Sequence, residues 1–91
     1  MVFFFYSILD FVTYILASEK TANLYKGHTS NLIGRFKSHN GLSKKGWTVR
    51  YRPWRVVYVR FFATKSEAMG HEHWLKSGAG REWIKCHLKA L

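Results

Sequence analysis

A cation and an imidazole, Arg35 and His39, lie four positions apart in this sequence. On a helix such residues are neighbours, so we expect the pair side by side at the edge of an apolar stripe, on the rim of a core. In the structural interpretation Arg35 packs its aliphatic stem there and His39 is favoured by the helix dipole. The alternative is that the pair has a functional role.

Glu72 is the other candidate for chemistry, because it is the one acid in the sequence without an evident structural role. The other four are assigned to the N-terminal segment, a turn, a helix cap and a first helical turn: Asp10, Glu19, Glu67 and Glu82. One carboxylate cannot form a glycosidase pair or a two-metal site, but it can hold one Mg²⁺ that keeps most of its waters. The structural alternative is an internal salt bridge to Arg35 or another arginine.

A small sheet is predicted to position these residues. Three segments rich in apolar, β-branched and aromatic residues are expected to be strands: 11–17, 24–28 and 54–62. A polar turn joins the first two as an antiparallel hairpin, which brings Tyr14 near Tyr25. The third segment is apolar on both faces, so we predict that it is the most buried strand.

A short helix is predicted after the second strand. It follows a tight turn at Gly27, is capped by Thr29 or Ser30, and ends at Asn40 and Gly41. Its apolar stripe is formed by Leu32, Ile33 and Phe36.

Two more helices are predicted after the third strand. A capping-box pattern at 64–67 begins a helix that runs to about Lys76, and a break at 77–80 precedes a last helix over 81–88. The inward residues are expected to be Ala68, Met69 and Leu75 in the first of these helices, and Trp83, Ile84, His87 and Leu88 in the second. Glu72 falls among the inward positions, so its carboxylate must be protonated, paired with a cation or bound to a metal.

Length and charge limit what the chain can be. Its 91 residues, 47% apolar and 18% aromatic, form one domain, placed at 11–91 and preceded by an apolar strand or extension at 1–10. A formal charge of +10 predicts a polyanionic partner, either nucleic acid or an anionic membrane surface. Cys86 is the one cysteine, which excludes an internal disulfide and favours a reducing compartment, so we expect a cytoplasmic protein.

The loop 41–52 interleaves basic and aromatic residues without a clear period. Such a mixture suits a loop that grips a phosphate backbone or stacks on bases, whereas a merely solvated loop would carry charges of both signs. We assign nucleic-acid binding to Lys44, Lys45, Trp47, Arg50 and Arg52, together with His28 at the end of the second strand.

Several short motifs occur in an order that resembles a known family. Tyr14 is followed after ten residues by the run 25–27 (Tyr-Lys-Gly), then by Arg35 in one helix and Glu72 in a later one. This order resembles the GIY-YIG nuclease family over nearly the whole chain. The run 25–32 looks most like the small single-domain bacterial branch, which is similar to the N-terminal nicking module of excinuclease ABC.

The resemblance implies an α/β (α+β) fold with a small three-stranded antiparallel sheet flanked by helices, which carries a one-metal phosphodiesterase site. By that resemblance Glu72 would hold one Mg²⁺ or Mn²⁺ ion. Tyr14 would be the general base that takes a proton from the attacking water, with Tyr25 and His28 tuning it.

The resemblance also assigns roles to the helical pair. Arg35 would stabilise the scissile phosphate as charge develops, and His39 matches a histidine seen at this spacing in some relatives. A tyrosine with a pKa near ~10 is a poor base at neutral pH, so Arg35, the metal and hydrogen bonds would have to lower the pKa of Tyr14. Two features depart from the family: the first motif, 12–14, keeps only its tyrosine, and no asparagine follows Glu72.

The resemblance and the charge together predict a DNA endonuclease that cuts or nicks by metal-assisted hydrolysis in DNA repair or processing. RNA is a less favoured substrate, and no small-molecule cofactor is expected. Since phosphate contacts position a substrate without reading its sequence, cleavage would be structure-selective or directed by a protein partner. The leading alternative is a nucleic-acid-binding module of the same fold with weak or no activity. A peripheral membrane protein ranks last.

Overall fold

The centre of the fold is β1 (Phe11–Ser18), which lies between β2 (Leu24–Thr29) and β3 (Trp54–Phe62) in a three-stranded antiparallel sheet. The helical elements are α1 (Leu32–Lys37), a π-helical turn (Ser38–Leu42), a 3-10 turn (Trp47–Tyr51), α2 (Lys65–Leu75) and α3 (Gly78–His87). The computed structural model describes residues 10–42 and 46–88. The predicted strand or extension, all but Asp10, and the loop residues Lys44 and Lys45 lie outside the described residues. The predicted α+β class with three antiparallel strands is confirmed.

The predicted hairpin between the first two strands is also confirmed. Tyr14 lies opposite Gly27 in the β1–β2 ladder, so Gly27 is inside a strand and the predicted tight turn there is wrong. The rings of Tyr14 and Tyr25 have centroids 6.1 Å apart, as the hairpin register requires. β2 therefore carries its tyrosine and its glycine along the middle strand rather than away from it.

Alternation along the strands divides the interior into two cores, one on each face of the sheet. On one face Tyr14, Leu16 and Trp54 are buried under α1 and the 3-10 turn, with Tyr25, Leu32, Phe36 and Tyr51 packed around them. On the other face Ile15 is buried against Leu75 of α2 and Ile84 of α3. Both faces of the sheet are thus covered by helical elements.

The prediction that the third strand is the most buried is wrong. β1 holds that place, because it has a strand on each side and helices over both faces, and Val12 through Ser18 are all buried. Within the described part of the chain β3 is an edge strand, and Trp54 is its one buried residue. The exposed positions of β3 are Arg55, Val56, Val59, Arg60 and Phe61. An apolar run on both faces does not reveal which strand lies in the centre.

The first helix begins later than predicted. Its cap is Asn31, whose side chain accepts a hydrogen bond from the backbone N–H of Gly34 at 3.0 Å, whereas Thr29 belongs to β2 and Ser30 precedes the cap. Leu32 and Phe36 pack against the core as predicted. The stripe is narrower than predicted, because 70% of Ile33 is exposed.

The helical segment also continues further than predicted. Asn40 and Gly41 lie inside the π-helical turn instead of closing α1. The Asn40 amide donates to the carbonyl of Trp54 at 2.9 Å and accepts from the backbone N–H of the same residue. This two-way bond ties the π-helical turn to the start of β3 and fixes the position of His39 in the turn.

The predicted capping box of α2 is confirmed, since Thr64 and Glu67 each accept a backbone hydrogen bond from the other. Ala68 and Leu75 are buried as predicted, but Met69 is 47% exposed. α2 thereby presents its Ala68–Leu75 side to the sheet.

α3 begins at Gly78, within the predicted break, because Ser77 caps it by accepting from the backbone N–H of Gly80 at 3.2 Å. Ile84 is buried as predicted, whereas His87 is exposed and contacts the carbonyl of Trp83. Over residues 10–42 and 46–88 no helix has the length and apolar content needed to cross a membrane.

Candidate active site

Tyr14 is held in the middle of the sheet, where its ring passes over Gly27 of β2. A methyl group added at Gly27 would lie 2.7 Å from the Tyr14 hydroxyl oxygen and 2.9 Å from its Cζ, closer than such atoms approach in proteins. Tyr14 is fully buried, so its hydroxyl reaches only the groups that surround it. The glycine of the 25–27 motif is therefore needed because it leaves space for the tyrosine.

A chain of hydrogen bonds joins three buried polar groups. The Tyr14 hydroxyl lies 3.0 Å from Nε2 of His39, and Nδ1 of His39 lies 3.1 Å from the hydroxyl of Thr48. Burial, and the nearby charges of Arg35 and Arg52, lower the pKa of His39, which keeps the imidazole neutral at pH 7. A neutral imidazole has one N–H, so His39 donates to one of these hydroxyl groups and accepts from the other.

The pKa of Tyr14 is raised rather than lowered. Burial is the main cause, and the nearby phenol of Tyr25 and carboxylate of Glu72 add to it; together they raise the pKa of Tyr14 to about 12. The guanidinium of Arg35 lies beside the hydroxyl and lowers the pKa, but by less than burial raises it. Tyr14 is thus a protonated phenol at neutral pH, and the lowering that the family resemblance requires is not supplied by these protein groups.

Glu72 lies on α2 where this helix packs on β2, and its side chain is 18% exposed. One carboxylate oxygen is 2.6 Å from Nδ1 of His28, and the other is 2.6 Å from the ammonium of Lys76. Although burial opposes ionisation, the hydrogen bonds from Lys76 and His28 hold the pKa of Glu72 below its ordinary value. Of the three states predicted for this carboxylate, the structure has the paired one, and its partners are His28 and Lys76 rather than an arginine.

The carboxylate suits a hard divalent cation. It is ionised at neutral pH, and oxygen is the ligand atom that Mg²⁺ and Mn²⁺ prefer. Within the described ranges no cluster of three or more acidic, histidine or cysteine side chains could hold an ion. A metal at Glu72 would therefore keep most of its waters, and it would displace the ammonium of Lys76 from one oxygen.

A groove of ≈ 440 Å³ opens beside these groups, at the end where β1 starts and β2 ends. Arg35 reaches it from α1 and Lys65 from the first turn of α2, while His28 lies between them. The remaining lining residues are Phe11, Thr29 and Ser30. Two cations around an open groove of this size can hold a phosphate group.

Aromatic rings form a wall next to the Tyr14–His39 pair. Trp47 is 48% exposed, and its ring centroid lies 4.7 Å from that of Tyr51 and 6.4 Å from that of Tyr25. The Tyr25 ring is in turn 4.4 Å from the imidazole of His39. An exposed tryptophan in this position can stack on a base, as predicted from the loop composition.

The two arginines of the predicted binding loop differ in their surroundings. Arg50 is exposed on the 3-10 turn. Arg52 donates from Nη2 to the carbonyl of Ser38 at 2.9 Å and from Nε to the carbonyl of His39, so its guanidinium holds the π-helical turn in place. Contact of either arginine with nucleic acid stays a prediction.

Sequence reasoning missed three residues of this region. Lys76 had a signal, since a lysine four residues after Glu72 on a helix forms an ion pair with it. Thr48 and Lys65 had none, because each reaches its place through packing of elements that are distant in the chain. The predicted catalytic residues Tyr14, Tyr25 and His39 are in mutual contact, while Arg35 and Glu72 lie close enough to affect the pKa of Tyr14.

The antiparallel sheet, the Tyr14–Gly27 contact and the carboxylate on α2 together define a nuclease-type domain. Residues 10–83 match the GIY-YIG catalytic domain. The chain belongs to the GIY-YIG family.

Relatives of this chain occur among small bacterial proteins. It is 35% identical over 66 residues to the UPF0213 protein SH2523 of Staphylococcus haemolyticus, which covers 72% of this chain and 80% of the relative. It is 32% identical over 78 residues to a UPF0213 protein of Pediococcus pentosaceus, covering 86% and 81%. It is 40% identical over 57 residues to the UPF0213 protein CPE1444 of Clostridium perfringens, covering 63% of this chain and 61%, less than two thirds, of the relative.

Proposed function

We propose that this protein is a metal-dependent DNA endonuclease that hydrolyses one phosphodiester bond at the groove between Arg35 and His28. The support is the meeting, at one end of the sheet, of an ionised carboxylate, a guanidinium and a buried tyrosine–histidine pair. Family membership supports the nuclease class and a nucleic-acid substrate. A reducing, cytoplasmic location is part of the same proposal.

Binding of the substrate uses fixed charges. Arg35 donates to the non-bridging oxygens of the scissile phosphate, and its donors are stronger for charged oxygens as negative charge grows in the transition state. Glu72 holds one Mg²⁺ or Mn²⁺, which polarises the phosphate and stabilises the leaving oxygen. His28 keeps its hydrogen bond to the second carboxylate oxygen and so orients Glu72.

Proton removal uses the buried pair. With His39 donating from Nδ1 to Thr48, its Nε2 lone pair accepts the hydrogen bond from the Tyr14 hydroxyl. As the attacking water forms its bond to phosphorus, its proton passes to the Tyr14 oxygen while the tyrosine's own proton passes to Nε2. This relay avoids a free phenolate, which a pKa of about 12 makes rare at neutral pH.

The finer parts of the proposal concern the substrate. Groups that contact phosphates do not read sequence, so cutting is structure-selective or directed by a protein partner, in DNA repair or processing. RNA is the second substrate to test, because Arg35 and the metal site would contact phosphate groups that DNA and RNA share. The identity of the ion, Mg²⁺ or Mn²⁺, belongs to the same test.

The deciding experiment is a nicking assay on duplex, flap and branched DNA, and on matched RNA, with Mg²⁺, Mn²⁺ or EDTA. Glu72→Gln and Tyr14→Phe each keep the shape of the side chain and remove its charge or its hydroxyl. Both should abolish metal-dependent nicking and leave DNA binding in EDTA unchanged. Glu82→Gln, the same change at an exposed carboxylate of α3, is the matched control and should nick like the wild type.

The second candidate function is a nucleic-acid-binding module without cleavage. It is favoured by the pairing of both Glu72 oxygens with His28 and Lys76, and by the raised pKa of Tyr14. DNA binding with no nicking of any substrate in either metal would select this module. Nicking that survives in Glu72→Gln would place the chemistry elsewhere.

A further inference from the structure

A second pocket lies between β2 and α3, outside the proposed catalytic groove. It has a volume of ≈ 180 Å³, and its lining is mostly aliphatic carbon from Leu24 of β2 and Ile84 of α3. Three cationic side chains stand around this floor: Lys26, Arg81 and Lys85. Leu24, Lys26 and His28 alternate along β2, so the pocket continues on the same face of the strand as His28.

No acidic side chain of the described residues pairs with these three cations. The ion pairs within residues 10–42 and 46–88 join Glu72 to His28 and Lys76, and none involves Lys26, Arg81 or Lys85. The pKa of Lys26 is lowered by burial and by the positive charges of Arg81 and Lys76, which places these like charges close together. A cluster of unpaired cations is unfavourable in the free protein and is relieved when an anion binds among them.

We propose that this pocket binds the sugar–phosphate backbone of one DNA strand next to the site of cleavage. The sugar lies against the aliphatic floor of Leu24 and Ile84, and the phosphates on either side are held by Lys26, Arg81 and Lys85. The identity of the strand as substrate DNA rests on the proposed function. The pocket itself is defined by contacts that the catalytic residues do not make.

The position of the pocket sets where along the DNA it acts. Lys26 and Leu24 are two and four residues from His28, which corresponds to about 7 and 13 Å along an extended strand. Each nucleotide advances a DNA strand by about 3.4 Å along the helix axis. The pocket therefore contacts the backbone roughly two to four nucleotides from the scissile phosphate, on one side of it only.

The first measurement is DNA affinity in EDTA as a function of salt, so that cleavage plays no part. The test variant is Lys26→Met/Arg81→Gln/Lys85→Gln, in which methionine keeps the aliphatic stem of Lys26. The control removes three exposed cations elsewhere: Lys20→Gln/Arg55→Gln/Arg60→Gln. The test variant should bind roughly tenfold more weakly than the control, and its salt slope should fall by about 0.9 for each phosphate that it no longer neutralises.

Thermal unfolding shows whether each variant is folded. Lys85→Gln alone, at an exposed position of α3, is the fallback variant and should lower the salt slope by about the share of one phosphate. Equal affinity and slope in the test and control variants would overturn the inference, because the weakening would then follow total charge. A test variant that loses binding to anionic phospholipid vesicles but keeps its DNA affinity would overturn it as well.

Two further readouts separate this inference from the proposed function. Hydrolysis of the small diester bis(p-nitrophenyl) phosphate needs no backbone beyond the cut, so the test variant should keep the wild-type rate. If the wild type cleaves nothing but the test variant still loses DNA affinity, the proposed function fails and the pocket stands. Shortening DNA to one nucleotide on the side that contacts the pocket should remove the affinity difference between wild type and test variant; a difference that persists with both ends shortened overturns the placement.

Discussion

At the scale of single residues, Gly27 decides whether Tyr14 can occupy the site. In Gly27→Ala the new methyl group would meet the Tyr14 oxygen at 2.7 Å and Tyr25 at 3.0 Å, so the tyrosine must move. We expect a loss of about 1–3 kcal/mol in the free energy of unfolding, as for other overpacked cores. Displacing the hydroxyl from His39 should reduce the nicking rate about 100-fold. Urea unfolding and a nicking assay measure the two effects.

The matched control for this change is Gly70→Ala. Gly70 lies in α2, and a methyl group added there meets no atom within 4 Å. Alanine should raise the free energy of unfolding by up to about 1 kcal/mol through helix propensity and leave nicking unchanged. A Gly27→Ala protein as stable and active as Gly70→Ala would show that the close contact with Tyr14 has no consequence.

Thr48 tests the proton relay at a residue that does not touch the substrate. Thr48→Val removes the hydroxyl that faces Nδ1 of His39, so the imidazole places its N–H on Nε2 and cannot accept the proton of Tyr14. The nicking rate should fall, with a changed pH profile and an unchanged affinity for DNA. Loss of the buried hydrogen bond should also lower the free energy of unfolding by about 1–3 kcal/mol.

Thr48→Ser, which keeps the hydroxyl, is the rescue variant for this prediction. It should restore both the rate and the wild-type pH profile. If Thr48→Val loses stability but keeps its rate and pH profile, Thr48 is structural and His39 does not act through this tautomer.

At the scale of elements, the contact between α2 and α3 depends on Gly80. A methyl group at Gly80 would lie 2.0 Å from the carbonyl oxygen of Trp74 and 2.6 Å from Cα of Leu75, and backbone atoms cannot yield as a side-chain tip can. Gly80→Ala should therefore lower the free energy of unfolding by about 3 kcal/mol. Gly78→Ala, two residues earlier in the same helix and with no atom within 4 Å, is the control and should not destabilise the protein. Urea unfolding of the two variants decides between them.

Elements defined by local chemistry were predicted well from the sequence. The three strands lie within one residue of their predicted bounds, and the capping box of Thr64 and Glu67 is formed, because alternation and capping act between near neighbours. Asn31, by contrast, caps α1 in place of Thr29 because β2 extends one residue further to pair with β1. The central position of β1 depends on which strands pair, and strand periodicity carries no information on that.

At the scale of the whole molecule, the candidate site is assembled from six elements: β1, β2, α1, the π-helical turn, the 3-10 turn and α2. Family resemblance pointed to Tyr14, Arg35 and Glu72 one by one, and their identities were predictable. The burial of His39 and its bond to Thr48 were not predictable, because they arise where the π-helical turn meets the 3-10 turn. The same is true of the raised pKa of Tyr14, which follows from complete burial rather than from sequence neighbours.

Burial of two imidazoles links the stability of the whole domain to pH. Burial lowers the pKa of His39, helped by Arg35 and Arg52, and burial with the charge of Arg60 lowers the pKa of His71, both from an ordinary value of 6.5. Below about pH 6.5 the unfolded chain therefore takes up protons more readily than the folded protein, so stability is complete above that pH and falls as the pH drops below it. The lowered pKa of Glu72 has its effect in a separate window, below its ordinary value of 4.5.

The Tm of the wild type should accordingly decrease between pH 7.5 and pH 5.5, and thermal unfolding across that range measures the decrease. In His39→Gln/His71→Gln the interior no longer excludes a proton that the unfolded chain accepts, so the Tm should vary less with pH even where the variant is less stable overall. His73→Gln removes an exposed imidazole without disturbing the interior, and this control should keep the wild-type decrease. Parallel Tm–pH curves for the wild type and the double variant would mean that burial of these two side chains does not govern the response to acid.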